Sequence, residues 1–307
     1  MTAVQERPRT VLRAEVVPPD APTPAARPPA LWPRLLGSTL LLLAAVLVWV
    51  LAYALVFSGL SEARAQRGLY ARLRSELATG NAPIAQPITP GAPVALLDVP
   101  AAGIKHVVVV EGTTSTQTAD GPGHLRSSVL PGQTGASVIL GRSTTYGAPF
   151  AHVARLRAGD ALTVTTGQGR FRYRVVGQRR SGDPLALPAG TRAVLTLVTS
   201  DGTGVLGGFT PDSAVYVTAV LTGTPQTGSV AAGRPASAER PMQGDYSFAS
   251  LAGLVLALQL LALVLGAVTW ARLRWSPLLA HVLGLPLVLA ALWFATQAAA
   301  RLLPNLV

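Results

Sequence analysis

The sequence of 307 residues contains no cysteine. Disulfides, thiolate-bound metal and thiol catalysis are excluded together. Acidic residues are scarce, 14 Asp and Glu against 25 Lys and Arg, for a formal charge of +11. Lys105 is the sole lysine, so arginine carries almost all of the positive charge. Basic clusters interleaved with stacking aromatics are lacking, so no nucleic-acid partner is expected. Charged residues make up 13% of the chain and apolar residues 50%, a balance that points to membrane segments rather than a plain soluble domain. Histidine is limited to His106, His124, His152 and His281. No pair has metal-ligand spacing, and neither a metal nor another cofactor is expected.

What is present divides the chain into blocks. Residues 1–34 are rich in Pro, Ala and Arg without apolar periodicity and read as a disordered cytoplasmic tail. Residues 35–57 form an uncharged run long enough to cross a bilayer as a helix. Residues 58–93 read as a solvated helical stalk, centred on 61–78, followed by a Pro-rich linker. From 94 to 221 short apolar runs alternate with Gly, Pro, Asp and Thr turns. Strands are expected near 94–99, 104–110, 136–140, 161–166, 169–179, 193–199 and 214–221, a mostly antiparallel barrel. In "FRYRVV" the alternation puts Phe171, Tyr173 and Val175 on one face and Arg172, Arg174 and Val176 on the other. A second linker occupies 222–246. Two further apolar runs, 247–270 and 277–303, flank a short basic loop at 271–276 and read as a transmembrane hairpin, with Pro286 a candidate kink. Three spans result. Arg272 and Arg274 place the loop in the cytoplasm and the β-rich region outside the cell membrane, while Arg64, Arg67, Arg72 and Arg74 argue the other way.

The stretches "DVPAAGIKHVVVVEGTT", "GPGHLRSSVLPGQTGASVILG", "STTYGAPFAHVARLRAGDALTVTT" and "FRYRVV" follow one another in an order and spacing that resembles the bacterial sortases. "TTYGAPF" is closest to the class E type, and the resemblance covers residues 94–221. It implies a mainly β fold, a closed eight-stranded barrel, here with one N-terminal and two C-terminal transmembrane helices. It also implies a chemistry in which a Cys thiolate attacks the carbonyl of a sorting-signal peptide, with a His proton donor and an Arg at the oxyanion.

The family's three positions are all replaced. Ser200 in "TLVTS" stands where the Cys would be, Arg142 in "GRSTTYGAPF" where the His would be, and Ser213, or a nearby loop residue, where the Arg would be. A serine hydroxyl needs a general base, and a guanidinium cannot serve as one. Arg142 is expected either to face a polar or acidic ligand group or to be an exposed side chain held by a carboxylate such as Asp201. His124, Thr144, Thr145 and Tyr146 are groove candidates. Gly141, Gly147 and Pro149, together with the last three of those candidates, are expected to shape the loop. The first reading is an inactive sortase homologue that binds a surface-protein sorting-signal peptide, a peptidoglycan precursor or a partner protein. A second is an acyltransferase or peptidase using Ser200 with a remote base such as His124. A third is a structural component of a membrane assembly.

Overall fold

In the computed structural model, described for residues 44, 46–183, 187, 189–201, 213–228, 236–274 and 277–307, eight strands close into a barrel in the order β1-β2-β3-β4-β7-β8-β6-β5. They are β1 Pro93–Val99, β2 Ile104–Glu111, β3 Gly123–His124, β4 Gly135–Leu140, β5 Ala161–Thr166, β6 Gly169–Arg180, β7 Ala193–Asp201 and β8 Ser213–Leu221. Pairs β2–β3 and β4–β7 are parallel and the other six are antiparallel. Contacts divide the chain into Met1–Val46, of which only residues 44 and 46 are described, and Leu47–Val307, the unit that holds the barrel. The expected tail at 1–34, much of the first expected span and part of the second linker lie outside the described residues.

Alternation in β6 behaves as its sequence predicts. Phe171, Tyr173 and Val175 are buried in the barrel, while Arg172 and Arg174 face solvent. β7 differs, since its first eight residues are all buried. It lies between β4 and β8, and its β-branched and leucine content suits a strand covered on both faces. The core gathers Val94, Leu97, Val109, Ile139, Phe150, Leu195, Leu197 and Val217 around the same axis. Each such side chain contributes about 1.5–3 kcal/mol by leaving water.

Two short elements were not expected. β3 is two residues long, and α2 covers Ser115–Asp120. Gly-rich and Thr-rich segments of this length carry no usable periodicity.

The expected stalk is helix α1, Ser58–Thr79, ending on Gly80 in the left-handed conformation at φ 71°. It does not stand free in solvent. Leu73 is buried, and the Gln66 amide completes the edge of β2: Nε2 donates to Val108 O at 3.0 Å and Oε1 accepts from Val108 N at 2.8 Å. The same Nε2 also reaches Asp120 O, at 2.9 Å. One side chain therefore satisfies strand groups that would otherwise be orphaned.

Helices α3, Phe248–Arg274, and α4, Pro277–Ala300, pack against each other, and Pro286 lies inside α4. Phe248–Ala271 and Val282–Ala300 are long and apolar enough to cross a membrane. Of the first expected span, the described residues 46–57 are helical, with a π-helical turn at Tyr53–Phe57. Trp293 of α4 stacks edge-on against Tyr53 and Phe57, with ring centroids 5.2 and 5.5 Å apart. Trp49 Nε1 donates to Thr296 Oγ1 at 3.0 Å.

Candidate functional site

Parallel pairing of β4 with β7 builds the site. Leu140 lies opposite Val198, and Gly141 N extends the ladder to Val198 O at 2.9 Å. One residue further along, Arg142 leaves β4 beside the end of β7, where Ser200 sits. Gly141 is required at the junction, because a Cβ there would lie 2.4 Å from the Phe150 ring.

The loop after Arg142 is held in an uncommon conformation. Tyr146, Gly147 and Ala148 have φ of 51°, 70° and 46° in succession, and two of the three pay the left-handed penalty of a Cβ residue. Neighbours hold it there: Phe150 N donates to Arg142 O at 2.9 Å, Ala148 N to Thr145 O at 3.0 Å, and Tyr146 N to Ser58 Oγ of α1 at 3.0 Å.

Arg142 is 0% exposed, which corrects the expectation of an exposed arginine paired with Asp201. Asp201 is taken by Arg180, at 2.6 Å. The Arg142 guanidinium instead meets main-chain and hydroxyl oxygens. Nε donates to Thr118 O at 3.2 Å; Nη2 donates to Ser115 O at 2.9 Å and Ser115 Oγ at 2.8 Å; Nη1 donates to Thr145 Oγ1 at 3.2 Å and Val307 O at 2.6 Å. Its carbon lies 4.7 Å from the centre of the Tyr146 ring, a cation–π contact. Burial pulls the guanidinium down to about 10, so the cation persists at neutral pH.

One of those partners, Val307 O, comes from the far end of the chain. Asn305, Leu306 and Val307 are each 0% exposed. The Leu306 carbonyl accepts from Ser143 N at 3.0 Å and from Ser200 Oγ at 3.0 Å, and the Thr145 hydroxyl donates to Val307 O. The Leu306 side chain fills an apolar pocket with Leu140, Val198 and Ala214, backed by Val138, Tyr216 and Met242. Ser200 and Ser143 share a hydroxyl contact of 2.5 Å. Among the described residues, the partners of the Ser200 hydroxyl are thus another hydroxyl and a carbonyl, and neither can take its proton.

The remaining candidates disperse. Thr145 and Tyr146 belong to the Arg142 shell, and Thr144 meets Ser143 at 3.2 Å. Ser213 opens β8 opposite Asp201. His124 lies elsewhere: Nδ1 meets Glu111 Oε2 and Nε2 meets Val129 O, each at 2.9 Å and fully buried. It is committed there and does not bond to Ser200. The sequence reading missed Ser115, Thr118, Ser143 and the Pro304–Val307 segment. None stands in a local pattern that signals a site, and only tertiary contact joins them.

Residues 97–207 match a family model described as Sortase domain. Over these residues the barrel matches the sortase family. Solved structures similar to it include a sortase D5 transpeptidase from Clostridium perfringens, 20% identical over 52% of this chain and 99% of that one, TM-score 0.41. SrtA sortase from Actinomyces oris is 25% identical over 46% of this chain and 85% of that one, TM-score 0.38. A sortase E variant from Streptomyces avermitilis is 28% identical over 50% of this chain and 100% of that one, TM-score 0.36. No curated protein matches the chain.

Beside the Arg142 shell a cavity of about 180 Å³ opens between α1, α2 and α4, lined in part by Ser61, Ser115, Asp120, Tyr146 and Arg301. Glu62 faces the same loop, and its Oε2 would lie 2.8 Å from a Cβ placed on Gly147. Burial, then the charge of Asp120, push Glu62 from an ordinary 4.5 up to about 7, and burial raises Asp120 as well. A carboxyl raised by folding contributes stability that is complete below its unfolded value and is lost as pH rises through its folded value. The unfolding midpoint of the sortase homologue should therefore fall between about pH 4.5 and about pH 7. Glu62→Gln should remove much of that slope in thermal melts across the interval. An unchanged slope in the variant would dissociate Glu62 from the effect.

Proposed function

We propose that the chain is a membrane-anchored sortase homologue whose groove binds a peptide or wall-derived ligand, or a partner segment, without acyl transfer. The observation that carries this reading is the commitment of Arg142 and Ser200. Every N–H branch of the guanidinium is spent on main-chain and hydroxyl oxygens inside the fold. The Ser200 hydroxyl donates to a carbonyl, with no base bonded to it among the described residues. Acyl transfer needs a nucleophile that can lose its proton and a donor free to face the oxyanion.

The reading places the barrel on the outer side of the cell membrane. Arg64, Arg67, Arg72 and Arg74 belong to α1, which packs on the barrel as part of a folded domain. Charges in such domains weigh little in orientation, whereas Arg272 and Arg274 close α3 just beyond its apolar stretch, where the positive-inside bias acts.

A serine-directed acylating probe should leave the purified protein unlabelled, both with residues 304–307 present and with them deleted. Labelling of the shortened chain that disappears in Ser200→Ala would refute the non-catalytic reading in favour of a serine enzyme.

A further inference from the structure

We infer that Pro304–Val307 is an internal ligand of the groove, a strap that closes it and ties it to the end of the membrane hairpin. The inference rests on the reading of the groove as a peptide site and assigns that site its resident occupant.

The segment is held like a bound peptide. Two successive main-chain oxygens are received by separate donor sets: Leu306 O by Ser143 N and Ser200 Oγ, both at 3.0 Å, and Val307 O by Arg142 Nη1 at 2.6 Å together with Thr145 Oγ1. The intervening Leu306 side chain supplies the apolar anchor in its pocket. The segment itself is a turn, closed by Val307 N donating to Pro304 O at 3.2 Å, and it combines main-chain hydrogen bonds with a side-chain pocket, the means by which protein surfaces hold peptides. Asn305 locks the approach, its Nδ2 donating to Thr113 O at 2.7 Å and to Arg240 O at 2.9 Å.

The hairpin delivers the strap. Residues entering and leaving it run side by side: Asn305 N donates to Gln243 O at 2.9 Å and Asp245 N to Arg301 O at 3.1 Å. Gly244 allows this approach, since a Cβ there would lie 2.2 Å from Leu302 O. Pro304 follows α4 and its last carbonyls and stops the helix from continuing through the groove. Any ligand that reaches Ser200 and Arg142 therefore has to displace residues continuous with α4, and a change in the hairpin is transmitted to the groove through a few residues.

Because the chain lacks cysteine, Ser200→Cys creates a single thiol at the floor of the groove. In the full chain in detergent micelles, maleimide labelling of that thiol should be slow. Deleting residues 304–307, or introducing Leu306→Lys to expel the strap without shortening it, should speed labelling at least about tenfold, since reaction no longer waits for local opening. Ser137→Cys, buried on β4, should stay slow to label in every background and so reports intact folding. The synthetic peptide Leu-Leu-Pro-Asn-Leu-Val should slow labelling of the shortened chain again, and its Leu-Leu-Pro-Asn-Lys-Val version should not. Equal Ser200→Cys rates with and without the strap would overturn the inference. Faster labelling on deletion with no protection by either peptide would instead sink the peptide-site reading and leave the strap standing.

Discussion

Arg142→Ala should lower the unfolding free energy by about 3–5 kcal/mol, among the largest effects of any single substitution in the barrel. Three elements lose their common donor at once: α2 through the carbonyls of Ser115 and Thr118, the loop through Thr145, and the strap through Val307. A buried acceptor left without a donor costs about 1–3 kcal/mol, and water entering the vacated space recovers part of the sum. Arg142→Lys should recover only a fraction, because an ammonium offers three donors in place of five and cannot span the same oxygens. Arg142→His, which reinstates the residue type of the sortase pattern, should cost nearly as much as alanine. Chemical denaturation of the detergent-solubilised protein, followed by tryptophan-independent circular dichroism, measures each difference. A loss below about 1 kcal/mol for the alanine variant would place Arg142 outside the group of residues that hold the site together.

That arginine marks the limit of what local pattern can say. Its standing where the resembled family has a catalytic His is an expectation drawn from "GRSTTYGAPF", as is Ser200 in place of a thiol. Its burial is not, because arginine is exposed by default and only a convergence of distant carbonyls reverses that preference. The barrel strands were legible for the opposite reason. Burial in β6 repeats every second residue, and β7 is rich in β-branched and leucine side chains, so each segment carries its own evidence. β3 carries none, being two residues placed by their neighbours.

The strap was hidden in another way. "RLLPNLV" reads as the ragged end of an apolar span, and most of its apolar residues would suit a membrane boundary equally well. What separates the two environments is pairing. Leu306 O and Val307 O have protein donors supplied by residues over one hundred positions earlier, and no sequence window contains both halves of that arrangement. The hydrophobic pattern therefore fixes how far α4 can extend, while the destination of the residues beyond it depends on the barrel being closed.

Glu111→Leu should be almost as damaging as the loss of Arg142, about 3–5 kcal/mol, because it strands His124 in the interior. Both side chains are 0% exposed. The Glu111 carboxylate faces His124 Nδ1 at 2.9 Å and accepts from Gln86 Nε2 at 2.7 Å. On the other side of the imidazole, Nε2 meets Val129 O at 2.9 Å, an atom that can only accept, so that nitrogen bears hydrogen. The network thus crosses from the Pro-rich segment through β2 and β3 to the turn ahead of β4. Its value comes from the brevity of β3, whose two residues pair with Val110 and Glu111 on one side and with Ile139 and Leu140 on the other. So few ladder bonds leave the register weakly specified, and the buried pair supplies what the ladder lacks. His124→Leu alone should also be costly, through the unpaired carboxylate. The double variant Glu111→Leu with His124→Leu should lose less than the two singles added together, by about 0.5–3 kcal/mol, because neither partner is then buried alone. A cycle in which the singles simply add would show that each side chain is held by its other contacts, and that the pairing itself does not set the register of β3.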